Sequence, residues 1–265
     1  MATDIFASGY LTQLKKFRQL FQSIPAIQQQ IDVIFGVCLN LSQRQLPNQS
    51  LPFLGLSQST YLEALVALGQ NSTWQQRAYA QQVQQVRQLD HLLRNFRDFI
   101  ESQFGIWSLQ TQSLLRRWVQ LFPGLSYLEV MAGNALFSYG MTQLQQKVIT
   151  TDDLSWGKTS PTGREPWVSV QSLDAVQAVK VYGPKVDALV MIWSQDNNPI
   201  DVAVLQAFKQ YMPHKSFFVL GEYLGATNSP EFWRSAPFVN DKAIARLNKI
   251  YPRFDLIQDK IFLIR

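Results

Sequence analysis

Residues 127–141 read YLEVMAGNALFSYGM and decide the fold class. An apolar stretch containing Glu129 ends in a turn of small residues, Ala132 to Ala135, and a helical pattern follows. Small residues let a ligand approach the backbone closely, and the first turn of the helix has free N–H groups. Ligands of open α/β sheets bind at the carboxyl ends of the strands, so Glu129 would place a carboxylate in that crevice.

Short apolar strands alternate with helical segments on the carboxyl side of this stretch. The alternation predicts βαβ units, and therefore a mostly parallel sheet covered by helices on both faces. Two further apolar stretches at the end of the chain are close enough to form an antiparallel hairpin. The predicted strands are 125–130, 147–151, 168–170, 186–193 and 216–222, the predicted helices are 135–146, 173–182 and 201–211, and the hairpin is 253–256 with 260–265.

The first part of the chain has a different pattern. Apolar residues recur three or four positions apart and glutamine is frequent, which is typical of amphipathic helices, and Pro25 interrupts one of them. We therefore predict an all-α domain over residues 1–120 in front of an α/β domain over residues 121–265. The helical domain is expected to be a cap that selects the substrate or a surface for homodimerisation.

The composition excludes several classes of protein. Hydrophobic residues make up 46% of the 265 residues, which excludes intrinsic disorder. Cys38 is the single cysteine and His91 and His214 are the two histidines, so a disulfide framework or a Cys-rich zinc site is excluded and no metal is expected. The sequence has no apolar run near the ~20 residues of a membrane helix, so no membrane partner is expected. Residues 1–5 lack a basic region followed by an apolar core, so a cytoplasmic location is expected by default.

The net charge of +5 is weakly informative about partners. Residues 1–120 contain 10 Lys and Arg against 6 Asp and Glu, and residues 121–265 contain 14 against 13. The excess is mild and unclustered, so it is only a weak argument for a nucleic-acid partner.

A second acidic pair, Asp152 and Asp153, ends the next predicted strand. Asp152 lies 23 residues after Glu129. That is the offset expected for a carboxylate that binds ribose hydroxyls. The alternative for the pair is capping of a following helix, and for Glu129 it is a role as a turn acceptor.

The run LEVMAGNALFSYGM, followed by VITTDDLSW, resembles motifs I and II of class I S-adenosylmethionine-dependent methyltransferases. The resemblance covers roughly residues 120–265 and implies a Rossmann-like sheet with S-adenosylmethionine as cofactor. In the family the motif I acid faces the methionine amino group and the motif II acid holds the ribose. The residues that match cofactor positions are Glu129, Ala132, Gly133, Asn134, Asp152, Asp153, Leu173 and Asp174, with Trp193 at motif IV beside the methyl group.

The sequence departs from the family's pattern at two positions. Met131 and Ala135 stand where many members have glycine, and only Gly133 of the usual three is present. This loss favours a non-catalytic binding or interaction module that kept the fold. The Met131 side chain would also narrow the methionine end of the site.

Three further residues are candidates for the acceptor side. Glu222, at the end of the fifth predicted strand, is the best-placed candidate for a general base, and Tyr223 follows it. Trp156 lies in an irregular stretch that could cover the cofactor. We therefore predict a methyltransferase acting on a small molecule. The alternatives are the non-catalytic module and an RNA methyltransferase that uses the basic N-terminal part.

Overall fold

The computed structural model describes residues 5–48 and 51–265. It divides the chain into two compact units, one of Met1–Gln45 and Leu51–Ile100 and the other of Leu46–Ser50 and Glu101–Arg265. Residues 1–4, where the absence of a targeting signal was inferred, and residues 49–50 lie outside the described residues. Among the described helices, none combines the length and the apolar content that crossing a membrane requires.

The first unit is helical. Serine residues cap two of its helices at their N-termini: the side chains of Ser8 and Ser57 accept hydrogen bonds from the N–H groups of Leu11 and Thr60. Pro25 occupies the first turn of the second helix, where its missing N–H costs nothing. The helices are α1 (Gly9–Leu20), α2 (Pro25–Ser42), α3 (Gln58–Gln70), α4 (Tyr79–Arg94) and α5 (Phe96–Phe104), of which α5 ends in the second unit.

The second unit contains a six-stranded sheet in the order β3-β2-β1-β4-β5-β6. The first five strands are parallel and β6 runs antiparallel to β5. The prediction of a Rossmann-like, mostly parallel sheet with a C-terminal antiparallel pair is confirmed. The strands are β1 (Tyr127–Val130), β2 (Val148–Asp152), β3 (Gln171–Ser172), β4 (Ala188–Ile192), β5 (Ser216–Glu222) and β6 (Asp259–Ile264), and the helices are α6 (Gln112–Leu121), α7 (Leu136–Gln143), α8 (Ala175–Tyr182), α9 (Ile200–Tyr211), α10 (Pro230–Ser235) and α11 (Lys242–Asn248).

The strand order changes direction between β1 and β4. The chain moves from β1 outward through β2 to β3, and then returns to place β4 on the other side of β1. This reversal creates a crevice at the carboxyl ends of β1 and β4, which is where ligands of such sheets bind.

Helix α6 belongs with the sheet. The Trp118 ring lies 4.8 Å from the Phe218 ring and 5.3 Å from the Phe137 ring, measured between centroids. Its side chain is fully buried. The division between the two units at Ile100 and Glu101 therefore differs from the boundary expected at residues 120 and 121.

Two predicted strands are wrong in detail. The third strand is Gln171–Ser172 and not 168–170. Before it, the N–H of Trp167 donates to the carbonyl of Asn134, in the turn after β1, instead of to a neighbouring strand. Residues 253–256 form no strand, because Oδ1 of Asp255 accepts from the N–H of Ile257 and bends the chain there. The last strand pairs with β5 instead.

Candidate cofactor-binding site

A cavity of about 700 Å³ opens at the carboxyl ends of β1 and β4. Small-molecule sites have volumes of roughly 300–1,000 Å³, so this one is large enough for a nucleoside cofactor together with part of a second molecule. Its wall is formed by residues 105–108 and Gln110, the ends of β1, β2 and β4, the turn after β1, part of the segment 155–163, and the start of α8. All of these residues belong to the second unit.

The turn after β1 contains three residues in the left-handed conformation. The φ angles of Met131, Gly133 and Ala135 are 55°, 54° and 59°. Glycine adopts this conformation without strain, whereas other residues pay roughly 1–2 kcal/mol. The backbone therefore has the shape expected of a three-glycine turn although two of the glycines are replaced. Met131 lines the cavity and also packs against the core of the sheet.

Asp152 holds this turn in place. Its Oδ2 accepts a hydrogen bond of 2.8 Å from the N–H of Gly133, and its Oδ1 accepts one of 2.6 Å from the N–H of Leu154. Burial raises the pKa of the Asp152 carboxyl, while these two hydrogen bonds act in the opposite direction. Although Asp152 lines the cavity, both of its oxygens are engaged by the backbone.

Asp153 is the more accessible carboxylate at the end of β2. Its side chain is exposed and lines the same cavity. The N–H of Ser155 donates to its Oδ1 at 2.9 Å. Sequence spacing predicts ribose binding by Asp152, whereas Asp153 is the member of the pair whose side chain is exposed at the cavity.

Glu129 is buried below the turn, with 2% of its surface exposed. The N–H of Ser138 donates to its Oε2 at 3.0 Å, and the Ser138 hydroxyl donates to the same oxygen. The hydroxyl of Thr150 in turn donates to that of Ser138 at 2.7 Å. Burial raises the pKa of Glu129 to about 7, against the effect of the Ser138 hydrogen bonds, and the nearby Asp152 charge raises it further. A cation in the cavity would therefore favour the ionised form of Glu129.

Asn134 has a structural role in the turn. Its Nδ2 donates to the carbonyls of Phe104 and Pro161, at 2.6 and 3.1 Å. These bonds tie the turn to the residues that directly precede Gly105 and Thr162 of the cavity wall. The buried Oδ1 of Asn134 accepts no hydrogen bond from the described residues.

Of the two residues predicted to bind the cofactor at the start of α8, Leu173 and Asp174, only Asp174 lies in the described cavity wall. Asp174 caps α8 by accepting from the N–H of Gln177 at 3.0 Å, and it lines the cavity. Leu173 packs against the core of the sheet and, among the described residues, does not belong to the cavity wall. The cavity wall also includes Ala132 and Gly133.

Tryptophan side chains form part of the wall near β4. The rings of Trp107 and Trp193 stack with centroids 5.8 Å apart and an angle of 29° between their planes. The Trp193 indole N–H donates to Asp259 at 3.0 Å, and the Trp107 indole N–H donates to the Thr162 hydroxyl at 3.1 Å. Trp156 also lines the cavity and is 41% exposed. No sequence pattern indicates Trp107 as a site residue, because it lies in an aperiodic segment far from β4 along the chain.

Two predicted acceptor-side residues are not brought to the cavity wall. The Glu222 carboxylate accepts from the N–H groups of Ala226 and Gln258, at 2.8 and 2.7 Å, and so fixes its own loop to the start of β6. The Tyr223 ring packs on Trp233, with centroids 5.4 Å apart. Within the described residues, this loop contributes Ala226 to the wall instead.

The fold and this crevice define a Rossmann-like α/β domain. No family model matches the sequence, and a search of curated proteins found no match. Similar solved structures include a SAM-dependent methyltransferase from Archaeoglobus fulgidus, at 14% identity over 63% of this chain and 98% of that one, with a TM-score of 0.37. Human N-acetylserotonin methyltransferase in complex with SAM is 11% identical over 96% of this chain and 69% of that one, with a TM-score of 0.36. The PH0226 protein from Pyrococcus horikoshii OT3 is 15% identical over 65% and 91%, also with a TM-score of 0.36.

Proposed function

We propose that the chain binds S-adenosylmethionine in the cavity at the carboxyl ends of β1 and β2 and is a methyltransferase for a small molecule. The observation that carries the proposal is the turn from Met131 to Ala135, which keeps three left-handed residues beside two carboxylates that line the cavity, Glu129 and Asp153. A turn that is strained in two non-glycine residues is a costly feature, and such strain is concentrated at functional sites.

The donor set suits the two ends of this cofactor. Asp153 is exposed and would accept hydrogen bonds from ribose hydroxyls. Glu129 lies in β1 and lines the cavity. Its raised pKa would fall if the cationic methionine end of the cofactor lay beside it. Asp174, at the start of α8, lines the part of the cavity where the adenine ring of the cofactor would be held.

When bound, S-adenosylmethionine supplies a methyl group already activated for transfer. The residues of the chain therefore need only bind and orient the cofactor and the acceptor and exclude water from the site. Among the described residues of the wall, the titratable groups are carboxylates. An acceptor whose nucleophilic atom carries a free lone pair at neutral pH needs no base from the protein.

A non-catalytic binding module is the second candidate. The observation that favours it is the engagement of Glu222, the predicted base, in two backbone hydrogen bonds. An RNA methyltransferase has less support, because phosphate groups would meet carboxylates along the cavity wall. Homodimerisation, the capping role of the helical part and a cytoplasmic location stay predictions.

Isothermal titration calorimetry of the full chain with S-adenosylhomocysteine tests the proposal. We expect one site per chain, with affinity reduced about tenfold or more by Asp153→Asn. Asp98→Asn changes an exposed aspartate outside the cavity wall and is the matched control, expected to bind like the wild type. The absence of binding to the wild type would remove both the methyltransferase and the cofactor-binding module.

A further inference from the structure

The described wall of the cavity contains acidic side chains and no Lys, Arg or His. The chain as a whole has a net charge of +5, so this distribution is the opposite of the overall charge. A cleft lined with one sign of charge concentrates ions of the other sign. The acidic residues of the wall are Glu129, Asp152, Asp153, Asp174 and Asp196.

These carboxylates are divided unequally between the two sides of the crevice. Four of them lie on β1, on or just after β2, or at the start of α8, and Asp196 alone follows β4. Because the strand order is β3-β2-β1-β4, the four belong to one side and Asp196 to the other. The proposed function places the cofactor on the first side, which leaves the β4 side for the methyl acceptor.

The β4 side offers a flat aromatic surface. Trp107 and Trp193 are stacked, and each indole N–H is held by a hydrogen bond, to Thr162 and Asp259 respectively. Trp107 is 37% exposed, so part of its ring is accessible in the free protein. The faces of aromatic side chains attract other rings and organic cations, and the indole ring of tryptophan binds cations best among these side chains.

A polar group on the same side is unused. Ser194, directly after Trp193, lines the cavity and is 1% exposed. Its hydroxyl has no hydrogen-bond partner among the described residues. A buried hydroxyl without a partner is costly, and a ligand that hydrogen-bonds to it would remove that cost.

We infer that the methyl acceptor is an arylalkylamine, with its ring against the Trp107–Trp193 pair and its amino group drawn to the β4 side by Asp196. The inference rests on the proposed function, because that function assigns the first side to the cofactor. The acidic side chains of the wall disfavour an acceptor that carries a carboxylate or phosphate group.

The step balances without a further reactant. The incoming ammonium first loses a proton to water, which frees the nitrogen lone pair. The amine nitrogen then forms a bond to the methyl carbon as the carbon–sulfur bond breaks, and the electron pair of that bond stays on sulfur. The product leaves as a methylated ammonium ion, so the step releases one proton in total.

Three indoles that differ in charge provide the test. Tryptamine is a cation at neutral pH, tryptophol is uncharged and indole-3-propionate is an anion. Calorimetry on the full chain saturated with S-adenosylhomocysteine should show tryptamine binding at least tenfold more tightly than indole-3-propionate, with tryptophol between them. Since the selectivity is electrostatic, it should shrink at high salt.

Variants separate the ring contact from the charge contact. Trp107→Ala should weaken tryptamine and tryptophol equally, whereas Asp196→Asn should weaken tryptamine and leave tryptophol unchanged. Trp74→Ala and Asp98→Asn, outside the described cavity wall, are the controls and should leave all three affinities as in the wild type.

The outcomes distinguish this inference from the proposed function. Binding of S-adenosylhomocysteine together with equal or tighter binding of the anion, or with no binding of any indole, overturns the inference alone. Failure of S-adenosylhomocysteine to bind overturns the proposed function, and tryptamine selectivity measured without it then supports only a cation-selective aromatic subsite.

Discussion

The N–H of Gly133 donates a hydrogen bond of 2.8 Å to Oδ2 of Asp152, so the end of β2 fixes the turn that follows β1. The other oxygen of Asp152 accepts from the N–H of Leu154. The neighbouring Asp153 remains exposed at the cavity. The two adjacent aspartates therefore differ: Asp152 holds the turn, whereas Asp153 is accessible from the cavity, and the proposed function assigns ribose binding to it.

Asparagine substitutions should separate these roles. Asp152→Asn replaces one acceptor oxygen by an amide that faces a backbone N–H, and should lower the free energy of unfolding by about 1–3 kcal/mol. Asp153→Asn should change it by less than about 0.5 kcal/mol and still weaken binding of S-adenosylhomocysteine. Urea denaturation and calorimetry measure the two effects. Equal destabilisation by both substitutions would contradict the assignment.

Glu129 should make the free protein less stable as the pH rises. Its pKa is about 7 in the folded state and near 4.5 when unperturbed. Between these values the folded chain retains a proton that the unfolded chain releases, so the free energy of unfolding falls with rising pH and levels off above 7. Glutamine does not ionise, so the free energy of unfolding of Glu129→Gln does not fall in this way. The variant should be more stable than the wild type at pH 8, by on the order of 2–3 kcal/mol.

The wild type and Glu129→Gln should be about equally stable near pH 4.5, where the Glu129 side chain of the folded wild type is also uncharged. Denaturation at pH 4.5, 6 and 8 gives the comparison, with Glu63→Gln as an exposed control on α3. The same Glu129→Gln substitution should weaken binding of S-adenosylmethionine. A variant that is destabilised at pH 8 would show that Glu129 is a structural acceptor only.

Glycine should be favourable at Ala135 and unfavourable at Ala132. Ala135 has a φ of 59° and precedes the first residue of α7, where glycine is also better than alanine. Ala135→Gly should therefore raise the free energy of unfolding by about 1 kcal/mol. Ala132 has a negative φ, so Ala132→Gly only adds entropy to the unfolded chain and should lower stability by about 0.5–1 kcal/mol. The same sign for both substitutions would be inconsistent with the left-handed turn.

Tyr251 should connect the C-terminal strand to the cavity wall. Its hydroxyl lies 2.8 Å from the Ser108 hydroxyl and donates to Asp259, which also accepts from Trp193. Tyr251→Phe should cost about 1 kcal/mol of stability in urea denaturation. Tyr223→Phe is the control, since this exposed tyrosine directly after β5 packs its ring against Trp233 of α10 and Phe262 of β6, and it should cost less than about 0.5 kcal/mol. Equal effects would exclude this connection.

The sheet was predictable because its signal is local. Apolar strands separated by helical segments, with Glu129 and the Asp152–Asp153 pair at two strand ends, were sufficient to indicate a mostly parallel sheet and the location of its crevice. The short strand β3 was misplaced because its two residues, Gln171 and Ser172, are polar and exposed, so the sequence has no apolar pattern there.

The site was less predictable because its details depend on distant residues. The distinction between Asp152 and Asp153 depends on which carboxylate meets the N–H of Gly133. Trp107 joins Trp193 only through the fold, 86 positions apart in sequence. Met131 and Ala135 adopt the left-handed conformation. The sequence could not indicate this, because methionine and alanine normally avoid that conformation.

A crystal structure of the chain with S-adenosylhomocysteine is the most direct test of the central claim. We expect the nucleoside over the turn from Met131 to Ala135, with the ribose hydroxyls on Asp153 and the amino-acid end towards Glu129. A ligand bound elsewhere, or a cavity closed by the side chain of Met131, would contradict the account.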